Sequence, residues 1–266
     1  DNSNVNAVAF ENNRTLNVSN LITNGGTAYF DRGNIQSSGE IITNNATWEV
    51  NNSLVNAPNA VFTNNGLING GIKISTDQSV TNNGTMTIGS QNLRLDALNN
   101  TTNFGNMVIG VGGQINVERG SLVNNGQITL DNSIINGQGD FNNSYGGYLS
   151  GSGTVLNDFE NFGTVSINSN ALYFAKDFNN HGFIAVNGVS AAITGGDITN
   201  TGTINGYGNI SNNINNEGTI SAANDTMILG GSVSNGTNGL ITAATGGQVL
   251  ALQGLDTNNG VINLTG

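Results

Sequence analysis

Three aspartates at a regular spacing are the residues of this chain best suited to hold a cation. Asp158, Asp177 and Asp197 each stand five residues before a glycine of a recurring motif, and Asn213 holds the same place next. Carboxylates stacked about 4.8 Å apart repel one another unless water or a cation lies between them. Ca²⁺ accepts such oxygen ligands in flexible geometry. The column predicts either a Ca²⁺ site or solvated turn residues, and no other cofactor is expected.

Catalytic chemistry has few candidates. His181, the one histidine, lies where other repeats carry Asn or Thr, which indicates a turn residue. A polysaccharide lyase or hydrolase would need paired acids or a basic residue in a groove made by long loops, and the three aspartates are the only acids suited to that role. Because the repeats vary only from 16 to 21 residues, little chain is left for such loops. We therefore expect no catalytic residue and no enzyme.

Two further binding chemistries have candidate residues in the sequence, carbohydrate binding and ice binding. Exposed aromatic side chains could bind carbohydrate, and the candidates are Tyr145, Tyr148, Tyr173 and Phe183. Packing explains these aromatic residues equally well. An ice-binding face would need a regular threonine column, and here Leu, Asn, Gln, Tyr, Phe and Val interrupt the threonines. Ice binding is therefore disfavoured.

The elements that must position these residues are set by an internal repeat. Thirteen times a small residue follows an Asn-rich run and precedes an aliphatic one. These anchor positions are Gly26, Ala46, Gly66, Gly84, Gly105, Gly126, Gly147, Gly163, Gly182, Gly202, Gly218, Gly239 and Gly260. Two residues after each anchor stands an apolar residue: Ala28, Trp48, Ile68, Met86, Met107, Ile128, Leu149, Val165, Ile184, Ile204, Ile220, Ile241 and Ile262. Such a period is typical of a solenoid, in which each unit buries its apolar face against its neighbours.

Within a repeat, apolar residues alternate with polar ones, as in Met86 and Ile88 or Ile128 and Leu130. A period of two predicts strands with one buried face. Glycines and β-branched residues recur too often for a helix. We predict an all-β chain, a single-stranded parallel β-helix (β-solenoid) of about 13 coils, with two or three short strands in each coil.

Asparagine forms a column of its own, two residues before the anchor. Stacked carboxamides can donate to the next coil and satisfy buried turn carbonyls, which predicts an asparagine ladder. An exposed ligand-binding array is the alternative. The predicted members are Asn24, Asn44, Asn64, Asn82, Asn103, Asn124, Asn161, Asn180, Asn200, Asn216 and Asn258, with Tyr145 and Thr237 as exceptions.

Composition limits the partners. The 266 residues carry a formal charge of −11, and the six basic residues do not cluster in the sequence, which argues against nucleic acid and anionic membrane surfaces. No apolar run is long enough for membrane insertion. The chain has no cysteine, one proline (Pro58) and 52 asparagines, and it begins at Asp1 rather than Met. We expect a bacterial or archaeal protein outside the cell or on its surface after signal-peptide removal, or a fragment of one.

Units such as Asn-Asn-Gly-Leu-Ile-Asn-Gly and Asn-Thr-Gly-Thr-Ile-Asn-Gly resemble the repeats of bacterial β-helix surface proteins. The nearest groups are autotransporter passengers and filamentous-haemagglutinin-like exoproteins, and the resemblance covers roughly residues 22–264. It implies a right-handed winding and a role in adhesion or as an extracellular scaffold. The chain departs from these groups in lacking an Asn-Pro-Asn secretion motif and a C-terminal outer-membrane barrel.

The two ends suggest self-association. Residues 1–21 are predicted to form an N-terminal strand or edge segment, and residues 22–266 a solenoid domain whose last coil is incomplete. No capping helix is apparent, so open strand edges could pair between molecules. The predicted assembly residues are Val5, Ala7, Phe10, Val261, Ile262 and Leu264. The predicted function is an extracellular structural protein that stacks head-to-tail into a filament or sheath. The alternatives are truncation of a longer repeat protein, and a surface adhesin that binds glycans or neighbouring cells.

Overall fold

The computed structural model describes residues 2–5, 8–10, 15–251 and 253–264, and side chains from residue 15 onwards within these ranges. The chain is an all-β solenoid of about 12 turns, and its described strands pair in parallel. The fold class and the absence of helix predicted from the alternating pattern are confirmed for the described residues. The right-handed winding stays a prediction.

The strands are short and follow one another closely. Those that begin before residue 140 are β1 Asn2–Val5, β2 Val8–Phe10, β3 Thr15–Val18, β4 Asn20–Thr23, β5 Thr27–Asp31, β6 Asn34–Ser37, β7 Ile41–Asn44, β8 Thr47–Asn56, β9 Val61–Asn64, β10 Leu67–Thr76, β11 Val80–Asn82, β12 Thr85–Ile88, β13 Asn92–Ala97, β14 Thr101–Asn103, β15 Asn106–Ile109, β16 Gln114–Arg119, β17 Leu122–Asn124 and β18 Gln127–Gly137. Those that begin after it are β19 Phe141–Asn143, β20 Tyr148–Val155, β21 Phe159–Asn161, β22 Thr164–Ile167, β23 Ala171–Phe174, β24 Phe178–Asn180, β25 Phe183–Gly195, β26 Ile198–Asn200, β27 Thr203–Ile210, β28 Ile214–Asn216, β29 Thr219–Leu229, β30 Val233–Asn235, β31 Leu240–Ala243, β32 Gln248–Ala251, β33 Leu255–Asn258 and β34 Val261–Asn263.

The contacts divide the chain into two units, Asp1–Phe141 and Asn142–Gly266. In the first unit, strands β1, β4, β7, β9, β11, β14 and β17 form one parallel ladder in that order. Because β1 pairs with β4, part of the predicted edge segment 1–21 belongs to this ladder. In the second unit, the corresponding strands are β21, β24, β26, β28, β30 and β33.

Each coil adds strands to two more ladders, and a single long strand often supplies both. In β8, residues 47–51 pair with β5 and residues 54–56 pair with β6. Asn52 lies between the two halves with a φ of 48°. Asn132 and Asn224 have φ values of 45° and 70° at the corresponding corners of β18 and β29. Asparagine tolerates this left-handed conformation, so the chain can turn there without glycine.

The apolar column two residues after each anchor is the centre of the core. In the first unit, Trp48, Ile68, Met86 and Met107 pair in direct register. In the second unit, Ile184, Ile204, Ile220 and Ile241 do the same. All of these side chains are at most 2% exposed. The sequence prediction of this column is therefore confirmed, and its burial is the main source of stability.

One core position, Thr101, carries a polar side chain that lowers the stability of the fold. Thr101 is fully buried between Val80 and Leu122, and among the described residues its Oγ1 has no hydrogen-bond partner. We expect Thr101→Val to raise the free energy of unfolding by about 1 kcal/mol, because an unsatisfied buried hydroxyl is removed without loss of volume. Thermal unfolding checks this prediction. The matched control is Thr76→Val, which should destabilise, because Thr76 Oγ1 donates to the Ala60 carbonyl. Destabilisation by both substitutions would contradict the prediction.

Candidate functional site

The asparagine ladder is the most regular polar feature of the chain. In the first unit, the Nδ2 of Asn44 donates to Asn64 Oδ1 at 2.8 Å, and this bond is repeated coil by coil as far as Asn124. In the second unit, the same chain of bonds runs from Asn143 to Asn258, with lengths of 2.7–2.9 Å. Apart from Asn258, every member is fully buried. The predicted ladder is thus confirmed as a structural element.

The ladder also satisfies the turns, as predicted. Asn64 Nδ2 lies 3.2 Å from the carbonyl oxygens of Gly66 and Thr85, and Asn103 makes the equivalent contacts with its own and the next coil. Each amide thus donates both to the next asparagine and to backbone carbonyl oxygens. Without it, these buried carbonyls would have no donor. Because each ladder bond given above runs from Nδ2 to the asparagine of the next coil, the ladder has a direction.

Its membership differs from the prediction in two ways. The prediction that Asn24 belongs to the ladder is wrong. Thr23 holds that place, because it pairs with Asn44 and its Oγ1 donates to Asn44 Oδ1 at 2.9 Å. The turn after Thr23 contains one extra residue, which moves Asn24 into an exposed outer row. In that row, side chains donate towards the preceding coil, from Asn83 to Asn65 and from Asn65 to Asn45.

The two predicted exceptions are also corrected. Asn143 and Asn235 occupy the ladder where Tyr145 and Thr237 were placed, because both coils have a turn that is two residues longer. Within these turns Gly147 N donates to Ser144 O, and Gly239 N donates to Gly236 O. The signal was in the sequence, since an apolar residue stands two before most ladder asparagines, as Phe141 does before Asn143 and Val233 before Asn235.

In the aspartate column, the carboxylate oxygens accept hydrogen bonds from other groups of the protein. Asp177 Oδ1 accepts the backbone N–H of Asp197 at 2.8 Å, and Asp197 Oδ1 accepts from Asn213 Nδ2 at 3.0 Å. Asp158 forms an ion pair of 2.9 Å with Lys176. Within the described ranges, no three His, Cys, Asp or Glu side chains are grouped to hold a metal ion. The column links successive turns, and this arrangement favours the interpretation as turn residues.

We therefore expect millimolar Ca²⁺ to leave the melting temperature of the chain unchanged. The aspartate oxygens already accept hydrogen bonds, and a Ca²⁺ ion requires six to eight oxygen ligands. Differential scanning calorimetry with Ca²⁺ and with a chelator measures this directly. A Ca²⁺-dependent rise in melting temperature that disappears in Asp177→Asn would contradict the expectation.

A row of aromatic rings lies on the outside of the second unit. Tyr145 packs on Phe162 with ring centroids 5.5 Å apart, and Phe162 stacks on His181 at 4.8 Å. His181 Nδ1 lies 2.7 Å from Thr201 Oγ1. The rings of Phe162 and His181 stack face to face, whereas Tyr145 is tilted against Phe162 and is 84% exposed. This packing agrees with the interpretation of His181 as a turn residue.

An ion-pair network joins three coils of the first unit. Lys73 and Arg94 are in direct register, and Glu118 accepts hydrogen bonds from both. Asp96 lies 3.2 Å from Lys73 and also accepts from Arg119. Three basic residues that are far apart in the sequence, Lys73, Arg94 and Arg119, thus lie close together in the fold. The register brings them together, but each faces a carboxylate, so the network forms no basic patch.

The network perturbs its two central carboxyl groups. Burial alone would raise the pKa of Asp96, but hydrogen bonds from Arg119, Ser75 and Lys73 outweigh it and hold the pKa below its ordinary value of 3.8. Burial also opposes ionisation of Glu118, and the hydrogen bonds from Lys73 and Arg94 lower its pKa below 4.5. Both groups thus favour the charged form in the folded state.

This network makes part of the stability dependent on pH. A folded-state pKa below the unfolded value stabilises the protein at higher pH, and the contribution is lost as pH falls through the ordinary values to the lowered ones. We expect the melting temperature to fall in that acidic range, and to fall less in Asp96→Asn. Asp131→Asn, an exposed substitution outside the network, serves as the control. If the melting temperatures of Asp96→Asn and wild type fell equally with acid pH, the prediction would be contradicted.

The last described coil consists of β32, β33 and β34, which we name the C-terminal edge. Among the described residues these strands pair with β29, β30 and β31 of the preceding coil alone. The predicted assembly residues Val261, Ile262 and Leu264 lie here and are 59%, 38% and 52% exposed. At the other end, Ala7 is outside the described residues. Val5 and Phe10 lie in β1 and β2, but their side chains are outside the described part.

No known protein family, no curated protein and no solved structure matches this chain. Within the described ranges there is no helix long and apolar enough to cross a membrane.

Proposed function

We propose that this chain is an extracellular structural protein that assembles end to end into a filament or sheath through its solenoid ends. The observation that carries the proposal is Ile262. It continues the core column of Ile220 and Ile241, which are 0% and 2% exposed, yet it is itself 38% exposed. A second copy stacked on the C-terminal edge would bury this column.

The rest of the surface gives indirect support. Charged residues make up 9% of the chain, and the amides of the outer row bond mainly to one another. A surface of this kind has few groups to compete with association at the ends. The interior repeats one apolar column and one amide ladder over successive coils. Such regularity suits a structural role, in which no single coil carries the function.

Electron microscopy of the purified chain at near-neutral pH tests the proposal. We expect unbranched filaments for the wild type and their loss in Ile262→Asp, which places a charge in the joint. The matched control is Val189→Asp, because Val189 is 84% exposed and lies away from the C-terminal edge. A monodisperse monomer at high concentration, measured by light scattering, would overturn the proposal.

A second candidate is a surface adhesin that binds glycans or neighbouring cells. Tyr145 is 84% exposed, and Tyr148 and Phe183 flank Thr164 in register on the outer face. Aromatic side chains in such a position can pack on sugar rings. A glycan array with wild type and Tyr145→Ala tests this candidate. The adhesin hypothesis predicts that the chain is a monomer and binds a ligand. Absence of binding to any glycan would count against it.

A further inference from the structure

Asn-Gly pairs recur at the turns of this chain, and they carry a chemistry of their own. Three of them, Asn24-Gly25, Asn65-Gly66 and Asn83-Gly84, have their asparagine in the exposed outer row. In such a pair the backbone nitrogen of the glycine can attack Cγ of the asparagine side chain. Ammonia leaves, and water opens the cyclic imide to aspartate or isoaspartate. The rate depends on how freely the glycine nitrogen can move.

In two of these turns the glycine nitrogen is held by the preceding coil. Gly66 N donates to the Asn44 carbonyl oxygen at 3.0 Å, and Gly84 N donates to that of Asn64 at 3.0 Å. Attack on the side chain requires this N–H to lose its proton and turn towards Cγ, so the hydrogen bond must open first. A Cβ on either glycine would lie 2.0 Å from a carbonyl oxygen of the preceding coil. These pairs can therefore react only when the coils separate.

The turn at Asn24 differs because it contains one extra residue. Among the described residues, the Gly25 N–H has no hydrogen-bond partner. Gly25 is exposed, has a φ of 80°, and a Cβ on it would meet no described atom within 4 Å. Glycine changes backbone conformation at little steric cost. This turn can thus bring the glycine nitrogen to the side chain without moving a neighbouring coil.

We propose that Asn24 is a site of spontaneous modification, at which the Gly25 nitrogen displaces ammonia from the side chain. A bond forms between Gly25 N and Asn24 Cγ as the bond from Cγ to the amide nitrogen breaks. Water then supplies the oxygen of the new carboxylate, and no oxidation or reduction takes place. The fold protects the same pair of residues at Asn65 and Asn83. This site goes beyond the proposed assembly and does not depend on it.

The modified turn keeps its link to the next coil. Asn24 Oδ1 accepts a hydrogen bond from Asn45 Nδ2 at 2.8 Å. An aspartate carboxylate in the same place accepts from the same amide, and a charged acceptor makes the stronger bond. The reaction therefore adds one negative charge to a row of neutral amides at a position that the turn length selects.

Peptide mapping by mass spectrometry tests the proposal on the 266-residue chain. The chain is incubated at mildly alkaline pH, once folded and once unfolded in urea, and the folded rate is divided by the unfolded rate at each asparagine. We expect this ratio to be at least about tenfold higher at Asn24 than at Asn65 or Asn83, where a hydrogen bond between coils must open first. Equal ratios at the three asparagines, or the lowest ratio at Asn24, would overturn the proposal.

Two variants of turn length locate the cause. Deleting Gly25 leaves Asn24 beside Gly26 and recreates the shorter turn, so the reaction at Asn24 should slow to the rate of Asn65. Inserting one glycine after Asn65 should have the opposite effect and make Asn65 reactive. Unchanged rates in both variants would contradict the role of the extra residue, and circular dichroism checks that each variant is folded. If either variant does not fold, the three asparagines of the unaltered chain decide the question.

Discussion

Replacing Asn180 by leucine is expected to lower the free energy of unfolding by about 3 to 5 kcal/mol, because two buried neighbours lose their partners at once. Asn161 Nδ2 loses the oxygen that it meets at 2.7 Å, and Asn200 Oδ1 loses its donor at 2.7 Å. The Thr203 carbonyl also loses a contact of 3.3 Å. All three asparagines are fully buried, so water cannot replace the missing bonds.

The matched control lies on the same strand. Asn179 precedes Asn180 in β24, faces outwards and makes one long hydrogen bond of 3.4 Å to Glu160. Asn179→Leu should change stability by no more than about 0.5 kcal/mol. Urea unfolding followed by circular dichroism compares the two variants. Hydrogen exchange around residues 161 and 200 shows whether the loss is local, as expected in a repeat structure whose coils contact only their neighbours. Equal stabilities of the two variants would exclude an energetic role for the ladder.

Adding a methyl group at an anchor glycine is expected to have an effect of similar size. A Cβ at Gly105 would lie 2.0 Å from the carbonyl oxygen of Gly84 in the preceding coil. That oxygen accepts the N–H of Asn106 at 2.9 Å, so relieving the clash requires the coils to separate where they are hydrogen-bonded. We expect Gly105→Ala to lower the free energy of unfolding by about 3 kcal/mol.

Gly89→Ala provides the control with the opposite sign. A Cβ at Gly89 meets no atom within 4 Å, and its φ is not in the left-handed region. Alanine there should stabilise the chain by up to about 1 kcal/mol, because it restricts the unfolded state. Thermal unfolding of both variants is sufficient. A neutral Gly105→Ala would show that the coils can separate locally at little cost, and would remove the steric explanation of the repeated glycine.

Several features of the fold could be predicted because they depend on local periodicity. Alternation over a few residues identifies the strands, and the apolar residue two places after the anchor keeps its register in each unit, as Ile68 with Met86 and Ile204 with Ile220. The anchor and the apolar residue two places after it are separated by a strand residue and not by a turn, so no insertion changes their spacing. The same reason explains why most ladder asparagines were identified.

The errors occur where turn length varies. One extra residue after Thr23 removes Asn24 from the ladder, and two extra residues bring Asn143 and Asn235 into it. Counting back from the anchor fails there, because the count crosses a turn whose length is not fixed by the repeat.

The sequence by itself thus determined the all-β solenoid, the apolar column and the existence of an asparagine ladder, since each follows from side chains that alternate within single strands. Only the tertiary structure decided which residues meet between coils. The network of Lys73, Arg94, Asp96, Glu118 and Arg119 depends on a register shift between Leu95 and Asp96, which pairs Asp96 with Arg119. The direction of the ladder likewise depends on which amide faces which oxygen. Such contacts join residues about 20 positions apart, and they depend on turn lengths and bulges that the repeat pattern does not specify.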